Sequence, residues 1–128
     1  MNIHTNQSNL LHILNANAMF SFTSGLFFIL ARKPLGEFLN TTSTVMIDLA
    51  IVMFFYAGLI AFNTQRTAIK RGFALFTVIG DTLWVLASIL LLILPIFTFT
   101  TDAKWAIGVT AICVDIFATI QFLEWRKM

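Results

Sequence analysis

The sequence is poor in charge and has almost no cysteine. Of its 128 residues, 11% are Asp, Glu, Lys or Arg, whereas 59% are apolar, and the mean hydropathy is +0.88. Soluble domains carry about 25% charged residues, so this chain has too little polar surface to cover itself in water. The single cysteine, Cys113, cannot form a disulfide within the chain. These deficits exclude a water-soluble domain, a disordered chain and a disulfide-stabilised secreted module.

Basic residues are also few, and they lie at the ends of apolar runs. Eight Lys and Arg and six Asp and Glu give a formal net charge of +2. Because no basic stripe is present, we expect no nucleic-acid partner. The class that remains is an integral membrane protein, with the lipid bilayer as its surroundings.

Four long apolar segments occupy most of the chain, at about 10–31, 43–63, 71–97 and 103–124. Each is close to the about 20 residues that a helix needs to cross about 30 Å of hydrocarbon. They are apolar around their circumference, as lipid requires, and about twice as long as the strands of a membrane barrel. The sequence therefore predicts an all-α fold, a single up-down-up-down four-helix transmembrane bundle over residues 1–128.

The connections between these spans contain residues that end helices. Pro34, after two basic residues, ends the first span, and we expect a short loop at Gly36. Pro95 closes the third span, and Asp102 is the expected N-cap of the fourth. Five Lys and Arg lie in the second connection and at the C-terminal end, against three in the other two connections. By the positive-inside rule, both termini are expected in the cytoplasm.

Three carboxylates lie inside the predicted spans: Asp48, Asp81 and Asp115. An Asp near the bilayer centre costs about 3 kcal/mol on insertion scales, so such residues usually face the bundle interior and serve a function. Asp115 is ten residues from both Trp105 and Trp125, which indicates the midplane, and Asp81 is ten residues into the third span. We therefore expect Asp81 and Asp115 at one depth on neighbouring helices, and Asp48 in the outer leaflet.

Other polar side chains share faces with these carboxylates at helical spacing. Ser21 is expected at the depth of Asp81 and Asp115, with Asn17 about one turn away. We predict one polar interior centred on these four residues. The candidate catalytic residues are Asp81, Asp115 and Ser21, and the candidate ligand-binding residues are Asn17, Ser24, Tyr56, Trp84, Ser88 and Asp48.

Two carboxylates at one depth repel each other when both are ionised. The pair is therefore expected to hold a proton, bind a cation or do acid–base work. The oxygens of Asp, Asn and Ser suit a hard cation such as Na⁺, Ca²⁺ or Mg²⁺, which stays open, but no fixed metal or cofactor is predicted. The uncharged side chains have a simpler explanation as well, since hydrogen bonds of this kind join transmembrane helices.

These residues leave three interpretations of function. The first is a buried, protonatable carboxylate site at the midplane that binds a small ligand or a cation, with proton linkage as one form of it. The second is an intramembrane hydrolase, in which the Asp pair with Ser21 acts on a small or lipid-like substrate. The third is a non-catalytic membrane partner protein, and a homo-oligomer is open in every case. The hydrolase interpretation is less favoured than the first.

Two motifs resemble those of a family of small bacterial four-helix integral membrane proteins. The first span contains an NAxFSxxSG pattern from Asn17 to Gly25, and the third contains a DxxW pattern from Asp81 to Trp84. The resemblance covers most of the chain and implies a four-helix fold in a bacterial inner membrane. It implies no particular activity, but it emphasises the same polar residues that depth and helix face select.

Overall fold

A computed structural model describes residues 8–66, 68–94 and 98–128. Four of its helices are long and apolar enough to cross a membrane, which confirms the predicted all-α bundle. The expected close of the third span at Pro95 lies outside the described residues. The helices are α1 (Ser8–Leu30), α2 (Arg32–Phe38), α3 (Ser43–Thr64), α4 (Arg71–Ile93) and α5 (Thr101–Arg126).

The connection after α1 is helical, so the prediction of a short loop at Gly36 is wrong. The first helix ends before Ala31, which is the N-cap of α2, and Pro34 lies in the first turn of α2. Proline is tolerated there because the first amide groups of a helix have no partner within it. Gly36 is buried in α2 where the chain turns back, and an added Cβ would lie 3.1 Å from the backbone of Thr42.

Threonine hydroxyls cap two of the spanning helices. Oγ1 of Thr42 accepts a hydrogen bond from the amide of Val45, and Oγ1 of Thr100 accepts one from the amide of Ala103, each at 3.2 Å. Asp102 is therefore not the N-cap of α5 and lies instead in its first turn. Its negative charge is favourable there because the N-terminal end of a helix is the positive end of its dipole.

Contacts at the two ends of the bundle show the alternating direction of the helices. At one end, Nη1 of Arg71 donates to the carbonyl of Met128 at 2.7 Å, and its guanidinium lies 4.5 Å from the ring centre of Trp125. At the other end, Nδ2 of Asn40 donates to Oγ1 of Thr98 at 2.7 Å. We call the first end the base: α1 and α4 begin there, and α3 and α5 end there.

The four spanning helices pack mainly as two pairs. α1 packs most extensively against α3, α4 packs against α5, and α1 also contacts α5. Gly25 permits the close approach of α1 and α3, because an added Cβ would lie 2.8 Å from the ring of Phe54. Large apolar side chains such as Met19 and Phe55 point outward, as lipid requires. The core near the base consists of Leu10, Leu14, Ala18, Ile60, Ile69 and Ala74.

Candidate functional site

Asp81 is the centre of a hydrogen-bond network that joins all four spanning helices. It lies inside the bundle on α4, with 4% of its surface exposed. Its Oδ2 accepts hydrogen bonds from Nδ2 of Asn17 on α1 and from Nε2 of Gln121 on α5, both at 2.7 Å. Its Oδ1 accepts one from the hydroxyl of Tyr56 on α3 at 2.9 Å. One carboxyl group therefore connects four helices.

The two amide side chains also bind each other. Nδ2 of Asn17 donates to Oε1 of Gln121 at 2.8 Å, and the hydroxyl of Ser21 donates to Oδ1 of Asn17 at 3.4 Å. Both amides thus use their nitrogen and their oxygen within the bundle. A buried polar group left without a partner would cost about 1–3 kcal/mol, so the network satisfies what the low-dielectric interior demands.

All three donors to Asp81 are uncharged. In the part of the chain that the structure describes, no Lys, Arg or His side chain forms an ion pair with it. A buried ionised carboxylate without a counter-ion is costly, and a proton on the carboxyl removes that cost. The surroundings of Asp81 therefore suit a group that exchanges a proton rather than one fixed in a salt bridge.

The hydroxyl of Tyr56 has two acceptors within reach. Besides Oδ1 of Asp81 at 2.9 Å, the main-chain carbonyl of Thr77 lies at 3.2 Å. A phenol has one proton and donates it to one acceptor at a time. When Asp81 is ionised, Tyr56 donates to it; when Oδ1 carries a proton, Asp81 donates to the phenol oxygen and Tyr56 donates to Thr77. Both protonation states of Asp81 therefore have a complete set of hydrogen bonds.

Local packing places the Tyr56 ring beside α4. The ring packs against Gly80, where an added Cβ would lie at an ordinary contact distance of 3.4 Å from it. Phe76 packs on the ring from the same helix, with 6.3 Å between ring centres. The ring is thereby held at the level where its hydroxyl reaches Asp81.

The oxygens of the network around Asp81 are already engaged in hydrogen bonds. The oxygens of Asp81 accept hydrogen bonds, and the side-chain oxygens of Asn17 and Gln121 accept them as well. A hard cation would need these same oxygens as ligands. Among the described residues, no group of three or more His, Cys, Asp or Glu side chains is placed to hold a metal ion.

The structure does not bring Asp81 and Asp115 together. Asp115 is exposed on the outer surface of α5, and Gln121, six residues or about 9 Å along the helix, lies beside Asp81 instead. Counting depth from the end of each helix assumes that the helices begin level. Asp81 is ten residues from the base end of α4, but Gln121 is only five from the base end of α5, so the two helices are staggered.

The other sequence-predicted residues lie outside the network. Asp48 is exposed on α3, and Ser24 is half-buried on α1. The hydroxyl of Ser88 donates to the carbonyl of Trp84 at 2.9 Å, within α4. Nε1 of Trp84 is buried without a hydrogen-bond partner among the described residues. None of these four side chains forms a hydrogen bond with Asp81 within the described ranges.

Gln121 is the site residue that the sequence analysis missed. It is fully buried, and it continues the face of α5 formed by the buried Ala111, Val114 and Ala118. A glutamine at this helical spacing within an apolar helix was the available signal. The sequence analysis instead placed Asp115 on the inward face of that helix, and Asp115 is exposed.

Fold and site together define the class: a membrane protein with four spanning helices and a buried aspartate at their junction. No family model matches the chain, and neither a curated protein nor a solved structure is significantly similar to it. The resemblance to small bacterial four-helix membrane proteins therefore stays a prediction.

Proposed function

We propose that this is a proton-linked membrane protein, in which Asp81 takes up and releases a proton as the bundle binds and releases a small ligand or cation. The observation that carries the proposal is the Asp81 carboxyl group, buried among three uncharged donors that come from three other helices. Helix packing alone needs no carboxylate, because amides and hydroxyls join helices without the cost of about 3 kcal/mol that a membrane-embedded Asp carries.

The position of Asp81 links its charge to the arrangement of the helices. Its proton determines whether Oδ1 accepts from Tyr56 or donates to it, and it changes the strength of the bonds from Asn17 and Gln121. Protonation of Asp81 therefore alters its hydrogen bonds to α1, α3 and α5 at the same time. Such a site suits a protein whose two helix arrangements differ in affinity for a ligand.

We propose a bacterial inner membrane as the location, with the base of the bundle in the cytoplasm. The exposed basic residues at the base support this orientation by the positive-inside rule. They are Arg66, Lys70, Arg71, Arg126 and Lys127, against Arg32, Lys33 and Lys104 at the other end.

The hydrolase interpretation has less support. Asp115 lies on the outer surface of α5, away from Asp81, and the hydroxyl of Ser21 donates to the amide oxygen of Asn17 rather than to a carboxylate. A serine nucleophile needs a base within hydrogen-bond reach. The non-catalytic interpretation is favoured by Asp115 itself, because a carboxylate facing lipid gains from a protein neighbour.

Infrared difference spectroscopy on the purified protein in lipid nanodiscs tests the proposal. Spectra recorded in acidic and alkaline buffer should contain a carboxylic-acid band that Asp81→Asn removes. Asp115→Asn is the matched control, because it deletes a carboxylate of the same membrane-spanning bundle outside the network, and it should leave that band in place. A folded Asp81→Asn variant whose spectrum equals that of the wild type would overturn the proposal.

A further inference from the structure

An open groove runs along the seam between α1 and α5 on the base side of the bundle. It is formed by one face of each helix, and both helices contribute a polar and an apolar part. The residues that line it are Asn9, His12, Ile13, Ala16, Ile120 and Glu124.

The inner end of this groove adjoins the network around Asp81. Ala16 directly precedes Asn17, and Ile120 directly precedes Gln121. The bond of 2.8 Å between these two amides crosses the seam at that level, and both amides also donate to Oδ2 of Asp81. The amide pair therefore lies at the level of the inner end of the groove and is hydrogen-bonded to the carboxyl group.

The outer end of the groove carries two titratable side chains. His12 is exposed on α1, five residues or about 7.5 Å before Asn17. Glu124 on α5 lies one turn beyond Gln121 and forms an ion pair with Nζ of Lys127 at 3.2 Å. Imidazole and carboxylate groups both bind and release protons, so both are suited to pass protons inward. The titratable group that faces Asp81 from α3 is Tyr56.

Aromatic rings close the seam beyond the network. The rings of Phe20 on α1 and Phe117 on α5 pack with 5.5 Å between their centres, about one turn further from the base than Asn17 and Gln121. The ring of Phe54 packs on Phe22 and fills the space at Gly25 between α1 and α3 on the same side. The groove thus lies on the base side of the amide pair, and apolar rings lie on the other side.

We propose that the α1–α5 groove is a one-sided aqueous entrance through which protons reach Asp81 from the base of the bundle. This inference rests on the proposed role of Asp81 as a proton site. It adds the route of the protons, the side of the bundle from which they come, and the two residues, His12 and Glu124, that transfer them at the outer end of the groove.

Cysteine accessibility tests the entrance. In a Cys113→Ala background, Ala16→Cys and Ile120→Cys place thiols in the groove, and Ile79→Cys places one on the exposed face of α4. Ile79 is the matched control because it and Ala16 each lie eight residues from the base end of their helices. A charged, water-soluble thiol reagent reacts with the thiolate, so both groove thiols should react about tenfold faster than Cys at position 79.

Equal reaction rates at the groove and control positions would overturn the entrance. A second measurement follows the carboxylic-acid band of Asp81 after a pH jump, before and after the thiol at position 16 is labelled with a bulky reagent. A slower response after labelling supports the entrance, and an unchanged rate overturns it while leaving the role of Asp81 intact. If the band responds to pH in no variant, the proposed function itself fails, and the two failures are therefore distinguishable.

Discussion

At the scale of single residues, the hydrogen-bond geometry around Asp81 fits either protonation state. Oδ2 must be an acceptor, because Asn17 and Gln121 both donate to it, whereas Oδ1 faces a hydroxyl that can donate or accept. An amide can reproduce the pattern of a protonated acid, with one oxygen that accepts and one atom that donates, and its nitrogen carries a second N–H in addition. The network therefore distinguishes substitutions that preserve this pattern from those that remove it.

Asp81→Asn should accordingly preserve the fold, whereas Asp81→Ala should not. The amide can accept from Asn17 and Gln121 and donate to Tyr56, which turns its own proton to Thr77. We expect the free energy of unfolding to change by less than about 1 kcal/mol in Asp81→Asn, and to fall by about 2–4 kcal/mol in Asp81→Ala, which leaves several buried donors unsatisfied. Unfolding followed by circular dichroism in detergent measures both, and equal losses in the two variants would contradict the explanation.

Tyr56→Phe should weaken the bundle most when Asp81 is ionised. The substitution removes one donor to Oδ1, and a hydrogen bond to a charged group contributes about 1.5–3 kcal/mol, against about 0.5–1.5 kcal/mol for a neutral one. The loss of stability should therefore grow from acidic to alkaline buffer, as unfolding at a series of pH values would show.

The infrared spectrum of the wild type offers an independent check that the Tyr56 hydroxyl changes its hydrogen-bond partner when Asp81 changes its protonation state. Because the chain contains a single tyrosine, every tyrosine band belongs to Tyr56. Its phenol C–O band should shift together with the Asp81 band as pH changes, and Asp81→Asn should abolish that shift. A phenol band that stays constant while the Asp81 band responds would show that Tyr56 does not exchange partners.

At the scale of helices, hydropathy predicted where the spans lie, but not how they are rotated and staggered. The expected spans 43–63 and 103–124 correspond to α3 and α5, because the bilayer selects apolar length directly. The partner of Asp81 on α5 was predicted as Asp115, and the structure places Gln121 there. The stagger of two packed helices depends on the side chains between them, and neither apolar length nor charge in the connections contains that information.

Close packing between α1 and α3 gives a test at this scale. Gly25→Ala adds a Cβ 2.8 Å from the ring of Phe54, so either the ring or the helix must move. We expect a loss of about 1–3 kcal/mol in stability. Gly58→Ala is the matched control on α3, because an added Cβ meets nothing within 4 Å there, and it should be neutral or stabilising by up to about 1 kcal/mol. Thermal unfolding of the two variants compares them directly, and similar melting temperatures would show that the contact at Gly25 is not tight.

At the scale of the whole molecule, the two ends of the bundle differ in charge and in access to the interior. The base carries most of the basic residues and the groove with His12 and Glu124, whereas the Phe20–Phe117 ring pair lies on the other side of the network. The charge in the connections predicts the orientation of the bundle in the membrane from the sequence alone. The groove could not be predicted in this way, because 111 residues separate His12 from Glu124 and only the structure shows that both face one seam.

This asymmetry predicts that Asp81 responds to pH from one side only. In proteoliposomes with a uniform orientation of the protein, a pH jump on the base side should change the Asp81 band promptly, and the same jump on the other side should not. The double substitution His12→Gln with Glu124→Gln should slow the response to a base-side jump, because it removes both groups that hand protons into the groove. Glu37→Gln is the matched control, since Glu37 is exposed on α2 at the opposite end, and it should respond as the wild type does. A response of equal speed from both sides would mean that protons pass the Phe20–Phe117 pair as readily as the groove, and the ring pair would then not be a barrier.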